Sequence, residues 1–285
     1  VGGCNAGKSS VVNALVLNTS EARLCTTGLN PGTFCWTQMI LGTQKQFMLD
    51  DCVCDNYREF HSKFLDRQSS IGCEQNAANL PAVTVKIPAH QSFQIEEYVD
   101  AVVDTPGLSN GDTQQLVIRH LRNCEQQYPP ILAFCMSLQS GISLAPESVL
   151  PTQDREFMNK AGMPFHRILL IATHYDVFVE GQRSEKYVDE KDPWTGALNR
   201  VRSELSDEEK IEQAKTSFDR WVEVVRSRFR GISVKPFARV GHASTSSSAL
   251  SEDIRKSMLS DIRTAIVDCI TLSSKREDAT GESEA

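Results

Sequence analysis

The chain has 285 residues, of which 40% are hydrophobic and 24% are charged, and its formal net charge is −7 at pH 7. These values predict one elaborated domain with a buried core, and the negative charge excludes a protein whose whole surface is basic. The nine cysteines have neither the spacing of a disulfide framework nor that of a four-ligand zinc site, so we expect reduced thiols and an intracellular location, in the cytoplasm or the mitochondrial matrix.

The predicted elements alternate between helices and short strands. Apolar residues recur at helical spacing between Val11 and Val16, which predicts a first helix directly after the N-terminal loop. Short apolar runs predict strands at 37–41, 82–87, 99–103, 131–136, 168–172 and 233–238. Amphipathic patterns predict helices at 113–124, 152–162, 218–229 and 250–270. This alternation predicts an α/β fold with a doubly wound, mostly parallel sheet. No apolar run approaches the ~18 residues that span a bilayer, so no transmembrane segment is predicted.

Two segments interrupt this alternation. Residues 42–81 are polar and contain cysteines, residues 178–216 are charged, and we predict that both are insertions into the domain. The last residues, 273–285, are poor in apolar side chains and are predicted to be disordered, which leaves a domain over 1–272. Only Val1 precedes the first loop, so most of the first strand is missing, and we expect the natural protein to continue upstream with an apolar run of five or more residues.

The N-terminal loop has the pattern Gly2–x4–Gly7–Lys8–Ser9. Its glycines let successive backbone N–H groups face phosphate oxygens, and the helix that follows adds its positive N-terminal end. Lys8 would neutralise the β- and γ-phosphates, and the Ser9 hydroxyl would bind Mg²⁺. The alternative is a glycine-rich turn before an ordinary helix. The predicted phosphate-binding residues are Gly2, Cys4, Asn5, Ala6, Gly7, Lys8, Ser9 and Ser10.

Two further motifs follow predicted strands. In "VVDTPGLS" (102–109), Asp104 would hold Mg²⁺ through water and Gly107 would bring its N–H to a γ-phosphate, although a strand-end turn is the simpler alternative. In "IATHYD" (171–176), Asp176 would accept from both guanine N1–H and N2–H₂, and would therefore select GTP over ATP. Thr173 and His174 are the other predicted contacts of this motif.

The order of "GGCNAGKSS", "NPGTFCWT", "VVDTPG" and "THYD" resembles the G1–G4 motifs of P-loop GTPases of the TrmE, Era, EngA, EngB and septin type. Residues 152–176 are most similar to EngB (YihA) ribosome-assembly GTPases. This resemblance implies a G domain that hydrolyses GTP to GDP and phosphate as a switch, with Mg²⁺, during assembly of the large ribosomal subunit. It places switch I at 22–38 with Thr33 closing over Mg²⁺, and it implies catalytic roles for Lys8, Thr33 and Gly107.

The chain departs from that family at two positions, and its fifth motif differs as well. His174 stands where the family has lysine, and its ring would stack on the base instead. The fifth motif is assigned to "GHAST" (241–245), with Ala243 and Ser244 as base contacts. Leu108 stands where EngB-like proteins typically have tyrosine. Ras-like enzymes have at this point the glutamine that orients the attacking water, so slow intrinsic hydrolysis is expected. Asn5 matches the position that holds K⁺ in potassium-activated relatives, where a cation would neutralise charge on the transferring phosphoryl group; the alternative is that Asn5 only supports the loop.

Residues 219–239 carry six basic and two acidic side chains, a local excess of four positive charges. Such a segment suits phosphate backbones, and the EngB resemblance implies ribosomal RNA or a pre-ribosomal particle as the partner. The alternative is a solvated helix face. Two other functions remain open: a dynamin-like or septin-like GTPase at membranes or in polymers, and a GTP-binding scaffold with little hydrolysis. The basic residues are Arg220, Arg226, Arg228, Arg230, Lys235 and Arg239.

Overall fold

The computed structural model describes residues 1–16, 36–44, 47–50, 52–73, 82–88, 99–108, 111–125, 130–182, 185–191, 198–240 and 249–281. The helices in this part of the chain are α1 (Lys8–Val16), α2 (Tyr57–Cys73), α3 (Gly111–Glu125), α4 (Thr152–Ala161), α5 (Tyr175–Glu180), α6 (Asp207–Arg228) and α7 (Glu252–Gly281). The strands are β1 (Trp36–Gln44), β2 (Phe47–Leu49), β3 (Cys52–Cys54), β4 (Ala82–Pro88), β5 (Ala101–Asp104), β6 (Leu132–Ser137), β7 (Ile168–Thr173), β8 (Glu185–Lys191), β9 (Leu198–Glu204) and β10 (Ser233–Pro236).

The strands form one parallel sheet, one mixed sheet and a separate hairpin. The parallel sheet has the order β10-β7-β6. The mixed sheet has the order β3-β2-β4-β1-β5, in which β1 and β4 are parallel and the other pairs are antiparallel. The hairpin consists of β8 and β9. Strands that alternate with helices in this way confirm the predicted α/β class.

The first two residues connect the two sheets. The Val1 nitrogen donates to the Ala133 carbonyl at 2.8 Å, and the Cys135 nitrogen donates to the Val1 carbonyl at 2.7 Å, so this segment runs parallel to β6. On its other side, the Leu108 nitrogen donates to the Gly2 carbonyl at 3.1 Å. The segment therefore fills a seam between β6 and the residues that follow β5. The loop after Gly2 emerges at the edge where β6 and β7 also end.

Helices cover both faces of the parallel sheet because its side chains alternate between two apolar clusters. Phe134 and Leu170 pack with α3, α4 and α6 on one face. Cys135, Leu169 and Ile171 pack with α1 and α7 on the other. All six residues of β7 are buried, as expected for a central strand covered on both faces. No helix in the described ranges combines the length and the apolar character needed to cross a bilayer.

The segment 42–81 contributes to the sheet and to the core. Its hairpin, β2–β3, pairs with β4 and widens the mixed sheet. Phe60 and Phe64 of α2 are buried, with 0% and 1% of their surface exposed, and Phe60 stacks on Phe47 with the ring centroids 5.1 Å apart. This segment is therefore an extension of the sheet. The charged segment 178–216 contains the β8–β9 hairpin and the start of α6, where Ser206 and Glu209 form a capping box.

Helix α7 extends to Gly281, into the segment 273–285 for which the sequence predicts disorder. A helix that is already formed adds one hydrogen bond for each further residue and needs no new nucleation. Lys275, Arg276 and Ala279 also have favourable helix propensities. Low apolar content alone is therefore a poor predictor of disorder where a helix already extends into the segment, and residues 282–285 lie outside the described residues.

Candidate functional site

The loop between the seam and α1 has an unusual backbone. Gly2 has φ +148° and Gly7 has φ +74°, and Asn5 adopts φ 57°, a region that favours glycine and asparagine. A Cβ on Gly2 would lie 2.2 Å from the Cys135 carbonyl oxygen, so only glycine lets the chain run this close to β6. The Ala6 nitrogen then donates to the Gly3 carbonyl at 3.3 Å, which turns the chain into the helix.

Lys8 is the first residue of α1, and its side chain folds back so that the amine lies over the loop. Only 7% of its surface is exposed, and Nζ donates to the Gly3 carbonyl oxygen at 2.8 Å. A buried ammonium group requires polar partners of this kind. The arrangement puts a positive charge beside the N-terminus of α1, whose backbone N–H groups also attract anions.

Ser9 and Asp104 meet where α1 begins and β5 ends. The Ser9 hydroxyl donates to Oδ2 of Asp104 at 2.8 Å, and Asp104 is 1% exposed. A hydroxyl next to a carboxylate fits Mg²⁺, which commonly binds one or two such protein groups and takes its other ligands from phosphates and water. Thr33, the third predicted magnesium ligand, lies outside the described residues. Within those residues, no cluster of three or more His, Cys, Asp or Glu side chains could hold a metal.

The segment after β5 packs against the loop. A Cβ on Gly107 would lie 2.6 Å from the Cys4 sulfur and 3.1 Å from the Cys4 Cα, so the two backbones are in close contact. Cys4 itself is exposed. Leu108 is 2% exposed and belongs to the same apolar cluster as Trp36, and its carbonyl accepts from the Gln153 amide at 2.9 Å. The side chain at position 108 is therefore part of the core.

Thr173 supports the loop from below. It ends β7, is 1% exposed, and its hydroxyl lies 2.8 Å from the Ala6 carbonyl oxygen and 3.1 Å from that of Met136. Thr173 is a predicted ligand contact, and in the structure its hydroxyl links the end of β7 to the loop and to β6. Ser10, another predicted phosphate contact, lies half-buried in the first turn of α1.

His174 joins β7 to α5 in the left-handed conformation, with φ 57°. Its Nδ1 lies 3.0 Å from the Ser137 hydroxyl and 3.3 Å from that of Thr173. Burial lowers the pKa of the His174 imidazole below its usual value, the positive charge of Arg239 lowers it further, and Asp176 opposes this decrease. The ring is therefore favoured in its neutral form, and Ser137 is a contact that the sequence motifs did not indicate.

Asp176 lies in the first turn of α5, and 22% of its side chain is exposed. Its Oδ2 is 3.7 Å from a terminal nitrogen of Arg255, which is on α7. Its Oδ1 is buried and makes no hydrogen bond with the described part of the chain. A buried carboxylate oxygen without such a partner can accept a hydrogen bond from a ligand. Ala243 and Ser244, the other predicted base contacts, lie outside the described residues.

The basic segment 219–239 does not form a single surface. Arg228 and Arg230 are exposed at the amino end of β10, whereas Arg239 is exposed after its carboxyl end, on the side of His174. The strand separates these cations, so they lie at opposite ends of the strands of the parallel sheet. Arg228 also donates to the Pro146 carbonyl oxygen, which partly occupies its guanidinium group.

Three chain segments thus converge at one edge: the loop 2–9, the end of β5 and the end of β7. No protein-family model matches this chain, and no curated protein is significantly similar to it. The chemistry of the converging residues therefore carries the functional inference.

Proposed function

We propose that the protein binds guanine nucleotides through the loop 2–9 and hydrolyses GTP to GDP and phosphate with Mg²⁺. The observation that carries this proposal is the 2.8 Å hydrogen bond between Ser9 and Asp104. It joins the loop–helix junction to the end of a strand 95 residues away in the sequence, which a simple glycine-rich turn would not require. The parallel sheet, covered on both faces and continued through Val1 and Gly2, supports a doubly wound P-loop GTPase domain.

The phosphates would lie over the loop. Lys8, buried beside the start of α1, would exchange the Gly3 carbonyl for β- and γ-phosphate oxygens. Ser9 and Asp104 would hold Mg²⁺, which supplies positive charge to the phosphate oxygens when it is bound. Gly107, in contact with Cys4, would present its N–H to the γ-phosphate, so this segment distinguishes GTP from GDP.

The base would lie beside α5. Guanine presents N1–H and N2–H₂ to a carboxylate, and Oδ1 of Asp176 is a buried oxygen that makes no hydrogen bond with the described part of the chain. Adenine would place its own acceptor opposite this carboxylate, and an unmatched pair of this kind is strongly rejected. The neutral His174 ring would provide a flat surface for the base.

Intrinsic hydrolysis would be slow because Leu108 is buried in the core and has no polar group to orient a water molecule. Asn5, exposed on the loop with φ 57°, would hold a K⁺ ion that neutralises charge on the phosphates. Hydrolysis should therefore be faster in KCl than in NaCl at equal ionic strength, and equal rates would contradict a potassium site. Very slow hydrolysis in both salts would favour the scaffold role.

Two cellular roles follow from different observations. The EngB resemblance of 152–176 supports assembly of the large ribosomal subunit, in the cytoplasm or the mitochondrial matrix, with Arg226–Arg230 as a smaller RNA contact than the sequence predicts. The widened mixed sheet favours the second role, that of a dynamin-like or septin-like GTPase. The long spacer before Asp104 is also found in dynamin-like and septin-like GTPases, and here it forms β2, β3, α2 and β4. Single-turnover hydrolysis with ribosomal subunits or with liposomes separates the two roles.

The experiment that tests nucleotide binding is a competition assay. A fluorescent guanine nucleotide is displaced by GTP, GDP or ATP, and we expect ATP to be at least about 100-fold weaker than GTP. Asp176→Ala should remove most of this preference, and Asp261→Ala, which removes an exposed carboxylate from α7, should keep it. Equal displacement by ATP and GTP would contradict guanine selection. Failure of the protein to bind any nucleotide would contradict the whole proposal.

A further inference from the structure

We propose that Arg255 is a positioning residue that sets guanine selectivity by fixing the carboxylate of Asp176. This inference rests on the proposed function, because it assigns a role at the same base site. Arg255 lies in the first turn of α7 and is 5% exposed. The sequence gives no sign of this role, because an arginine on an amphipathic helix is usually a solvated surface residue.

The Arg255 guanidinium connects three separate segments. One terminal nitrogen donates to the Arg239 carbonyl at 2.8 Å, just after β10. Nε donates to the Leu250 carbonyl at 3.1 Å, just before α7. The same terminal nitrogen lies 3.7 Å from Oδ2 of Asp176. The guanidinium is thus held by two backbone carbonyls while it faces the carboxylate.

A second contact fixes the other end of α5, the helix that carries Asp176. The Ala249 nitrogen donates to a carboxylate oxygen of Glu180 at 2.7 Å, and Glu180 is the last residue of α5. Asp176 and Glu180 therefore bind the start of α7 from the two ends of α5. This arrangement limits rotation of the short helix that carries the base-binding carboxylate.

The burial of Arg255 argues against an incidental ion pair. A guanidinium loses its hydration when it is buried, and this loss is costly unless hydrogen-bond and charge partners replace the water. Its planar shape lets it bind carbonyls and a carboxylate in one fixed geometry, which the flexible ammonium group of lysine cannot reproduce. Oδ2 of Asp176 is held toward this group, and Oδ1 remains for the base.

The consequence is a specific role in discrimination at the 2-amino group of guanine. A carboxylate in a fixed orientation binds most tightly a base that offers hydrogen-bond donors at both N1 and N2. If Arg255 is removed, Asp176 can rotate, so it accepts from N1–H alone nearly as well. The affinity for the triphosphate, which the loop 2–9 provides, should change much less.

The test compares GTP with inosine triphosphate, which lacks only the 2-amino group. Arg255→Gln should lower the preference for GTP over inosine triphosphate by about tenfold, the size expected for one charge-assisted hydrogen bond. Lys256→Gln is the matched control, since it removes an exposed positive charge from the next position, and should keep the wild-type ratio. In an Asp176→Ala background, Arg255→Gln should have no further effect on the ratio.

The outcomes separate this inference from the function on which it rests. A wild-type protein that does not prefer GTP over ATP contradicts guanine binding itself. A wild-type protein with that preference, combined with an unchanged GTP-to-inosine ratio in Arg255→Gln, contradicts the positioning role alone. Equal weakening of both nucleotides also contradicts it, because it indicates a structural role only. If Arg255→Gln does not fold, Arg255→Lys decides, and it should lower the ratio in the same direction by a smaller factor.

Discussion

Thr173→Val is the sharpest test of how the loop is supported, because valine keeps the shape of threonine and removes only the hydroxyl. That hydroxyl lies 2.8 Å from the Ala6 carbonyl oxygen, 3.1 Å from the Met136 carbonyl oxygen and 3.3 Å from Nδ1 of His174. It has one proton, so it can donate strongly to only one of them at a time. Its loss leaves a buried carbonyl of the loop or of β6 without this donor.

The expected loss of unfolding free energy is about 1 kcal/mol for the hydrogen bond and up to about 3 kcal/mol if the carbonyl stays unsatisfied. A loss of about 2 kcal/mol corresponds to a decrease in Tm of roughly 4–8 °C for a domain of this size. GTP affinity should also decrease, by roughly two- to tenfold, because the hydrogen bond to the Ala6 carbonyl no longer holds the loop in the conformation proposed to bind the phosphates. GTP and GDP should be affected alike, because both use the loop.

Thr173→Ser is the matched control. Serine keeps the hydroxyl and lacks the methyl group, so it should lose about 1 kcal/mol of stability from the smaller apolar burial and keep the wild-type affinity for GTP. Thermal unfolding and calorimetric titration of both variants measure these effects. If valine binds GTP as well as threonine does, or if serine weakens binding as much as valine, the hydroxyl does not fasten the loop.

Three other expectations concern single positions. Gly107→Ala would put a Cβ 2.6 Å from the Cys4 sulfur, and it should lower the affinity for GTP more than that for GDP, by roughly tenfold. The control is Gly111→Ala, whose Cβ would meet nothing within 4 Å, and it should bind both nucleotides normally. An equal loss of affinity for GTP and GDP in Gly107→Ala would refute a γ-phosphate role. Asp104→Asn should raise the Mg²⁺ concentration for half-maximal hydrolysis by about tenfold or more, and an unchanged magnesium titration would exclude Asp104 as a ligand. Burial raises the pKa of the Asp154 carboxyl from 3.8 to about 6, so the folded state keeps a proton that the unfolded chain loses as the pH rises through this interval. Asp154→Asn should therefore stabilise the protein above about pH 6 and leave it unchanged below about pH 4, and urea unfolding with the same gain at both pH values would argue against this cause.

The central strands could be predicted from the sequence because burial on both faces leaves an uninterrupted apolar run. The runs 131–136 and 168–172 correspond closely to β6 and β7. The loop–helix junction at Lys8 was equally clear, because glycine spacing and helical periodicity meet at one residue. Local patterns are sufficient where a single segment determines its own structure.

Other features depend on distant contacts or on signals hidden by charge. The apolar stripe predicts a helix over 218–229, whereas α6 begins at Asp207, behind the Ser206–Glu209 capping box within the charged segment. The polar composition of 42–81 concealed Phe60 and Phe64, although their spacing of four residues is helical. The contacts of Arg255 could not be recognised from the sequence, because its approach to the Asp176 carboxylate and to the Arg239 carbonyl depends on how the elements pack.

The position of Val1 and Gly2 between the two sheets has a consequence for stability. A nucleotide held by the loop would contact residues of the parallel sheet and residues at the end of the mixed sheet at the same time. Neither of these two halves of the protein, each built on one sheet, could then unfold without releasing the nucleotide. Ligand at 100 times its dissociation constant would then raise the global unfolding free energy by about 2.7 kcal/mol. It would also make the two halves melt as one cooperative unit, whereas the nucleotide-free protein has fewer interactions coupling them.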